Sequence, residues 1–68
     1  MAKFFVRVRG KDWDGKERTL DLEPFEETDD GRARELGWAR TCQVSTLPQI
    51  GTLFKENADG WEEISRVF

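Results

Sequence analysis

Lys3-Phe4-Phe5-Val6-Arg7-Val8-Arg9 decides the fold. Its side chains alternate: Phe4, Val6 and Val8 fall on one side, and Phe5, Arg7 and Arg9 on the other. A period of two is that of a half-buried β-strand. Residues 18–23 alternate as well, with Leu20 and Leu22 on one face. Between the two stretches stands Trp13-Asp14-Gly15-Lys16, and Asp-Gly is a strong tight-turn signal.

A two-residue turn at Asp14-Gly15 sets Lys11 opposite Arg18 and, continued without a break, Arg9 opposite Leu20. That register places a charge among apolar side chains. One extra residue repairs it, and Gly10 is the natural place for a bulge. Val8 then faces Leu20, Val6 faces Leu22 and Arg7 faces Asp21. The expectation is a bulged hairpin over residues 3–23, closed by Pro24-Phe25.

Beyond the hairpin, Thr28-Asp29-Asp30 offers a helix cap with acidic residues in the first turn. A short helix over 29–36 would use Gly37 as a left-handed stop, with Trp38 folding back on it. The competing reading makes Asp30-Gly31 a turn into a long strand, since Leu36, Trp38, Cys42 and Val44 share parity. Residues 39–46 read as a strand with Cys42 and Val44 inward, broken by Leu47-Pro48. Residues 50–56 read as another. Asn57-Ala58-Asp59-Gly60 fits a type I turn with a glycine bulge, so 61–68 should pair back on 50–56. Helical spacing of Trp61, Ile64 and Phe68 is the rival. The expected fold class is α+β: one domain over 1–68, a small antiparallel sheet ordered β-β-α-β-β-β, and one short helix packed on it.

Sixty-eight residues bury a limited core. A single cysteine excludes an internal disulfide, and the chain has no histidine, so neither a metal nor another cofactor is expected. The short apolar run Phe4-Phe5-Val6 is no signal peptide or membrane span. Together these point to a cytoplasmic chain without a membrane partner. Net charge is −3, unevenly spread: residues 1–18 hold six basic and three acidic groups, and 19–31 hold six acidic and no basic ones.

The usual hydrolytic triads need a histidine, and the glycines are scattered rather than gathered in a phosphate loop. Asp12-Trp13-Asp14-Gly15 begins like a calcium loop, but Lys16 and Glu17 occupy positions that need a ligand and a glycine. Glu26-Glu27 with Asp29-Asp30 reads as a solvated cap or an acidic contact patch. Cys42 reads as a buried structural thiol. No enzyme is expected.

Three tryptophans and five phenylalanines are many for so small a core. Phe4, Phe25, Trp38, Phe54 and Phe68 are expected inside, leaving Phe5, Trp13 and Trp61 over. Exposed aromatic and arginine side chains are typical interface anchors. The candidate binding set is Phe5, Arg7, Arg9, Lys11, Trp13 and Arg18. A protein partner is the first reading. The alternative is a small nucleic-acid-binding domain, with cations on phosphates and Phe5 and Trp13 stacked on bases. Neutralisation of Arg7 by Asp21 and an isoelectric point near 4.9 weigh against it. A homodimer is a further expectation, through an edge strand ending in Val67-Phe68.

In layout, residues 3–47 resemble small phage-encoded inhibitors, including anti-CRISPR proteins and inhibitors of bacterial RNA polymerase. The shared plan is a hairpin, a short helix with an alanine-bearing face (Ala33-Arg34-Glu35-Leu36) and a returning strand. The resemblance implies a phage or mobile-element accessory protein that blocks a host protein stoichiometrically, and it assigns no individual residue a role.

Overall fold

The computed structural model describes residues 1–44 and 48–67. Among them run β1 (Ala2–Lys11), β2 (Glu17–Asp21), β3 (Phe25–Glu27), α1 (Asp30–Cys42), β4 (Pro48–Asn57) and β5 (Gly60–Arg66). The fold class is as expected: a small antiparallel sheet with one helix packed on it. The element order is β-β-β-α-β-β. The sheet runs β2-β1-β4-β5, and β3 continues the β2 side by pairing with the start of β1. No helix among the described residues is long and apolar enough to cross a membrane.

β1 is the hub. It pairs with β2 and β3 along one edge and with β4 along the other. Phe4, Val6 and Val8 point towards α1 and form the core with Phe25, Ala33 and Leu53. The expected partners are found: Val8 faces Leu20, Arg7 faces Asp21, and Leu22 N–H donates to Val6 O at 2.9 Å.

The extra residue that sets this register is not at Gly10, however. The β1–β2 ladder passes unbroken through Gly10↔Arg18 to Lys11↔Glu17. Gly15 supplies the correction, at φ +86° in a five-residue connection over 12–16. A left-handed glycine in the loop shifts the register as a bulge in the strand would, without losing ladder bonds. Gly10 does mark an irregularity, but towards β4, where pairing shifts between Arg9 and Gly10. Nor does Pro24-Phe25 close the second strand. β2 ends at Asp21, and Phe25 opens β3 opposite Phe4.

The largest departure is α1. Asp29 caps it as expected, its carboxylate accepting from Gly31 N–H at 3.1 Å. The helix then runs through Gly37 to Cys42, so residues 39–42 are helical rather than strand, and the long-strand alternative fails as well. Residues 45 and 46 of the expected strand lie outside the described residues.

Gly37 serves as a contact, not a stop. It is where α1 crosses the sheet: a Cβ there would lie 2.9 Å from Val6 Cγ2 and 3.6 Å from Leu53 Cδ1. Ala33, Gly37 and Thr41, four apart, form the buried stripe. The buried Thr41 hydroxyl donates to Gly37 O at 2.8 Å. α1 thus sits on the sheet through small side chains, while Leu36 and Trp38 stay outside at 40% and 54% exposure. Trp38 is therefore not core, and Cys42 is an exposed thiol near the helix end, not a buried one.

β4 and β5 pair around Ala58-Asp59, with Asn57 opposite Gly60 and Gly60 at φ +126°. The strand reading of this segment holds over the helical one. β5 is an edge strand; Phe68, expected in the core, lies outside the described residues.

Two glycine substitutions in α1 should have opposite signs. A Cβ at Gly31 would meet the Asp29 carboxylate first, at 3.5 Å, an ordinary contact. Gly31→Ala should stabilise by about 0.5–1 kcal/mol through helix propensity. Gly37→Ala must displace the stiff, fully buried Val6 and should cost about 1–2 kcal/mol net. Denaturant unfolding of the two variants checks both signs.

Candidate interaction surface

The β1–β2 connection is ordered by one carboxylate. Asp12 N–H donates to Lys16 O at 3.0 Å, and Gly15 N–H donates to Asp12 O at 2.9 Å. The Asp12 side chain accepts Lys16 N–H at 3.1 Å and forms an ion pair with Arg18 Nε. Its side chain is only 8% exposed. Hydrogen bonding with Asp14 is the main influence holding the Asp12 carboxyl below the ordinary carboxylate range, helped by Arg18 and the Lys16 amide and opposed by desolvation.

With Asp12 turned inward, Trp13 is turned out. It is 96% exposed, at the tip of a paired hairpin. The side chains of Lys11 and Lys16, which flank it, and of Arg9 farther along β1 make no ion pair or hydrogen bond among the described residues. Arg18 faces Gly10 and keeps its side chain 70% exposed beside Asp12.

The other candidates lie elsewhere. Phe5 and Arg7 belong to the sheet face opposite α1, and Phe5 is 7% exposed rather than left over. It stacks on Phe54 at 4.9 Å between centroids and meets the edge of Trp61 at 4.8 Å. The Arg7 guanidinium lies 5.6 Å from the Phe5 centroid and 5.1 Å from that of Phe54. Arg7 is held by two bonds to Asp21, at 2.8 and 3.2 Å. Those bonds keep the Asp21 carboxyl below its usual range.

The six candidates therefore divide. Lys11, Trp13 and Arg18 lie at or beside the hairpin turn, and Arg9 lies farther along β1, opposite Thr19 and Ile50. Phe5 and Arg7 form a second small core with Phe54, Trp61 and Asp21. Sequence reading placed Lys16 in the basic set and Trp61 among the leftover aromatics, but missed Asp12 as the loop's organiser and Phe54 and Trp61 as the partners of Phe5. Phe54 and Phe5 share a face once β4 lies beside β1, but no local signal names that neighbour. The Asp12–Lys16 contacts were legible only with Gly15 as the bulge.

Among the described residues no group of three or more cysteine or carboxylate side chains could hold a metal ion. No protein-family model matches the chain, and comparison with curated proteins and with solved structures finds no similar protein.

The loop's pH response has a definite sign. A carboxyl held low in the folded state supports the loop above the unfolded value and loses that support as pH falls through the folded one. The Asp12 side-chain carboxyl should titrate with its midpoint below the ordinary aspartate value of about 4. An NMR titration in which Asp12 titrates above about pH 4 would contradict this.

Proposed function

We propose that this chain is a non-enzymatic protein-interaction module that docks through the β1–β2 hairpin tip. The observation carrying the proposal is Trp13, 96% exposed on a loop whose backbone is tied down by Asp12. The fold draws nothing from that side chain. A tryptophan with a preset backbone loses little entropy on docking and offers a large contact area. Lys11 and Lys16 flank it, and Arg9 lies farther along β1, all with their charges unspent on the fold and suited to the polar rim of an interface. In this reading the module acts by occlusion, as a stoichiometric blocker of a host protein, the role implied by the resemblance to phage-encoded inhibitors.

Base stacking by Phe5 would require moving Phe54, Trp61 and Arg7 off its ring, so the observations favour a protein partner over nucleic acid. Affinity purification from the native host, with wild-type and Trp13→Ala chains as baits, tests the reading. The expected result is a nuclease-resistant protein partner whose affinity for Trp13→Ala falls by about 30-fold. The melting temperature should stay within about 2 °C of wild type, since no packing is lost. Equal capture by both baits, nuclease-sensitive capture, or a large loss of stability in Trp13→Ala would overturn it.

A further inference from the structure

A second surface lies on the sheet face away from α1. A groove of about 430 Å³ runs between Trp61 and the connection at Leu22, Glu23 and Pro24, with Phe5, Arg7 and Asp21 also lining it. Its aromatic wall already holds a cation, because Arg7 stacks over Phe5 and Phe54. The Arg7 charge is met in turn by the paired contact with Asp21. Trp61 is the ring left available, at 42% exposure, and indole is the strongest cation–π partner.

Apart from Arg7, whose charge is met by Asp21, the charges placed around Trp61 are acidic. Glu56 lies directly across from it on β4, Glu63 lies two residues along β5 opposite Phe54, and Glu23 stands on the far side of the groove. None of these three carboxylates has an ion pair or a side-chain hydrogen bond among the described residues. An aromatic wall edged by unpaired carboxylates complements a cationic side chain with an apolar stem.

We infer that the Trp61 groove receives an arginine side chain from a basic protein segment, stacked on the indole and paired with Glu23 and Glu63. This site is separate from the hairpin tip and does not depend on how Trp13 is used.

The probe is an acetylated, amidated hexapeptide of alternating arginine and glycine, titrated into the ¹⁵N-labelled full chain and followed by NMR. A glutamate–glycine hexapeptide and a short oligothymidylate serve as comparisons. The expected result is a saturable shift at the Trp61 indole N–H and the Glu23 and Glu63 amides, with the Trp13 indole unmoved. The double variant Glu23→Gln, Glu63→Gln, which alters two exposed side chains outside the core, should weaken the arginine peptide by about five- to tenfold. Three results would overturn the inference: no saturable shift up to about 5 mM peptide, equal binding by the double variant, or shifts at Trp61 produced as strongly by either comparison ligand. Each of these leaves the Trp13 reading untouched, because that reading is scored at a different residue.

Discussion

The pairing of β1 on both of its edges is the constraint on which the rest of the molecule depends. One strand contacts β2, β3 and β4, and it is buried on both faces along part of its length. Its even-numbered side chains, Phe4, Val6 and Val8, meet α1, and Phe5 lies under the opposite surface. A slip of one residue would put Arg7 and Arg9 under the helix and turn Val6 and Val8 to solvent. The position of Gly15 therefore matters far from its loop: it places Arg7 beside Asp21 and Val8 beside Leu20.

A chain this short has one helix to cover a two-faced sheet, and cations cap aromatic rings on both faces. Arg7 lies over Phe5 and Phe54, Arg40 over Phe25 at 4.8 Å, and Lys55 over Phe4 at 5.7 Å. Each is also tied down. Arg7 binds Asp21, Arg40 donates to Glu23 O at 3.2 Å, and Lys55 reaches Asp30 at the start of α1 at 3.1 Å. The long stems and flat guanidinium groups act as lids on aromatic rings and keep their charged ends in water. High charge and high aromatic content, at odds in the composition, thus serve one purpose. The lysines flanking the hairpin tip and the carboxylates around Trp61 stay outside this arrangement. They lie towards opposite ends of an elongated molecule measuring 39 × 23 × 17 Å.

Much of the sheet was legible because strand alternation is local and the turns carry their own chemistry. Phe4 to Arg9, Leu20 and the Asn57-to-Gly60 turn gave two hairpins and the α+β class. The helix was legible only at its cap. α1 buries Ala33, Gly37 and Thr41 and exposes Leu36 and Trp38, so its pattern of large apolar residues points away from the face that packs. A glycine needed for close approach looks, in sequence, like one needed for a stop. That ambiguity cut the helix short, created an unreal strand through Cys42 and placed Trp38 in the core. Phe5 failed for a different reason. Its burial depends on Phe54, Trp61 and Arg7, and two of those arrive from strands nearly fifty residues away or more. Trp13 was legible because its environment is set by its own loop.

The central role of β1 is tested most directly by native-state hydrogen exchange resolved to single amides. As an interior strand, β1 donates its amides to one neighbour or the other, and opening them requires the sheet to come apart. The expected result is that the Phe4-to-Val8 amides exchange only through global unfolding, at the same free energy as that measured by denaturant, while the amides of β5 exchange through smaller openings. Exchange of the β1 amides at a free energy well below the global value, with the β4–β5 hairpin still protected, would contradict it.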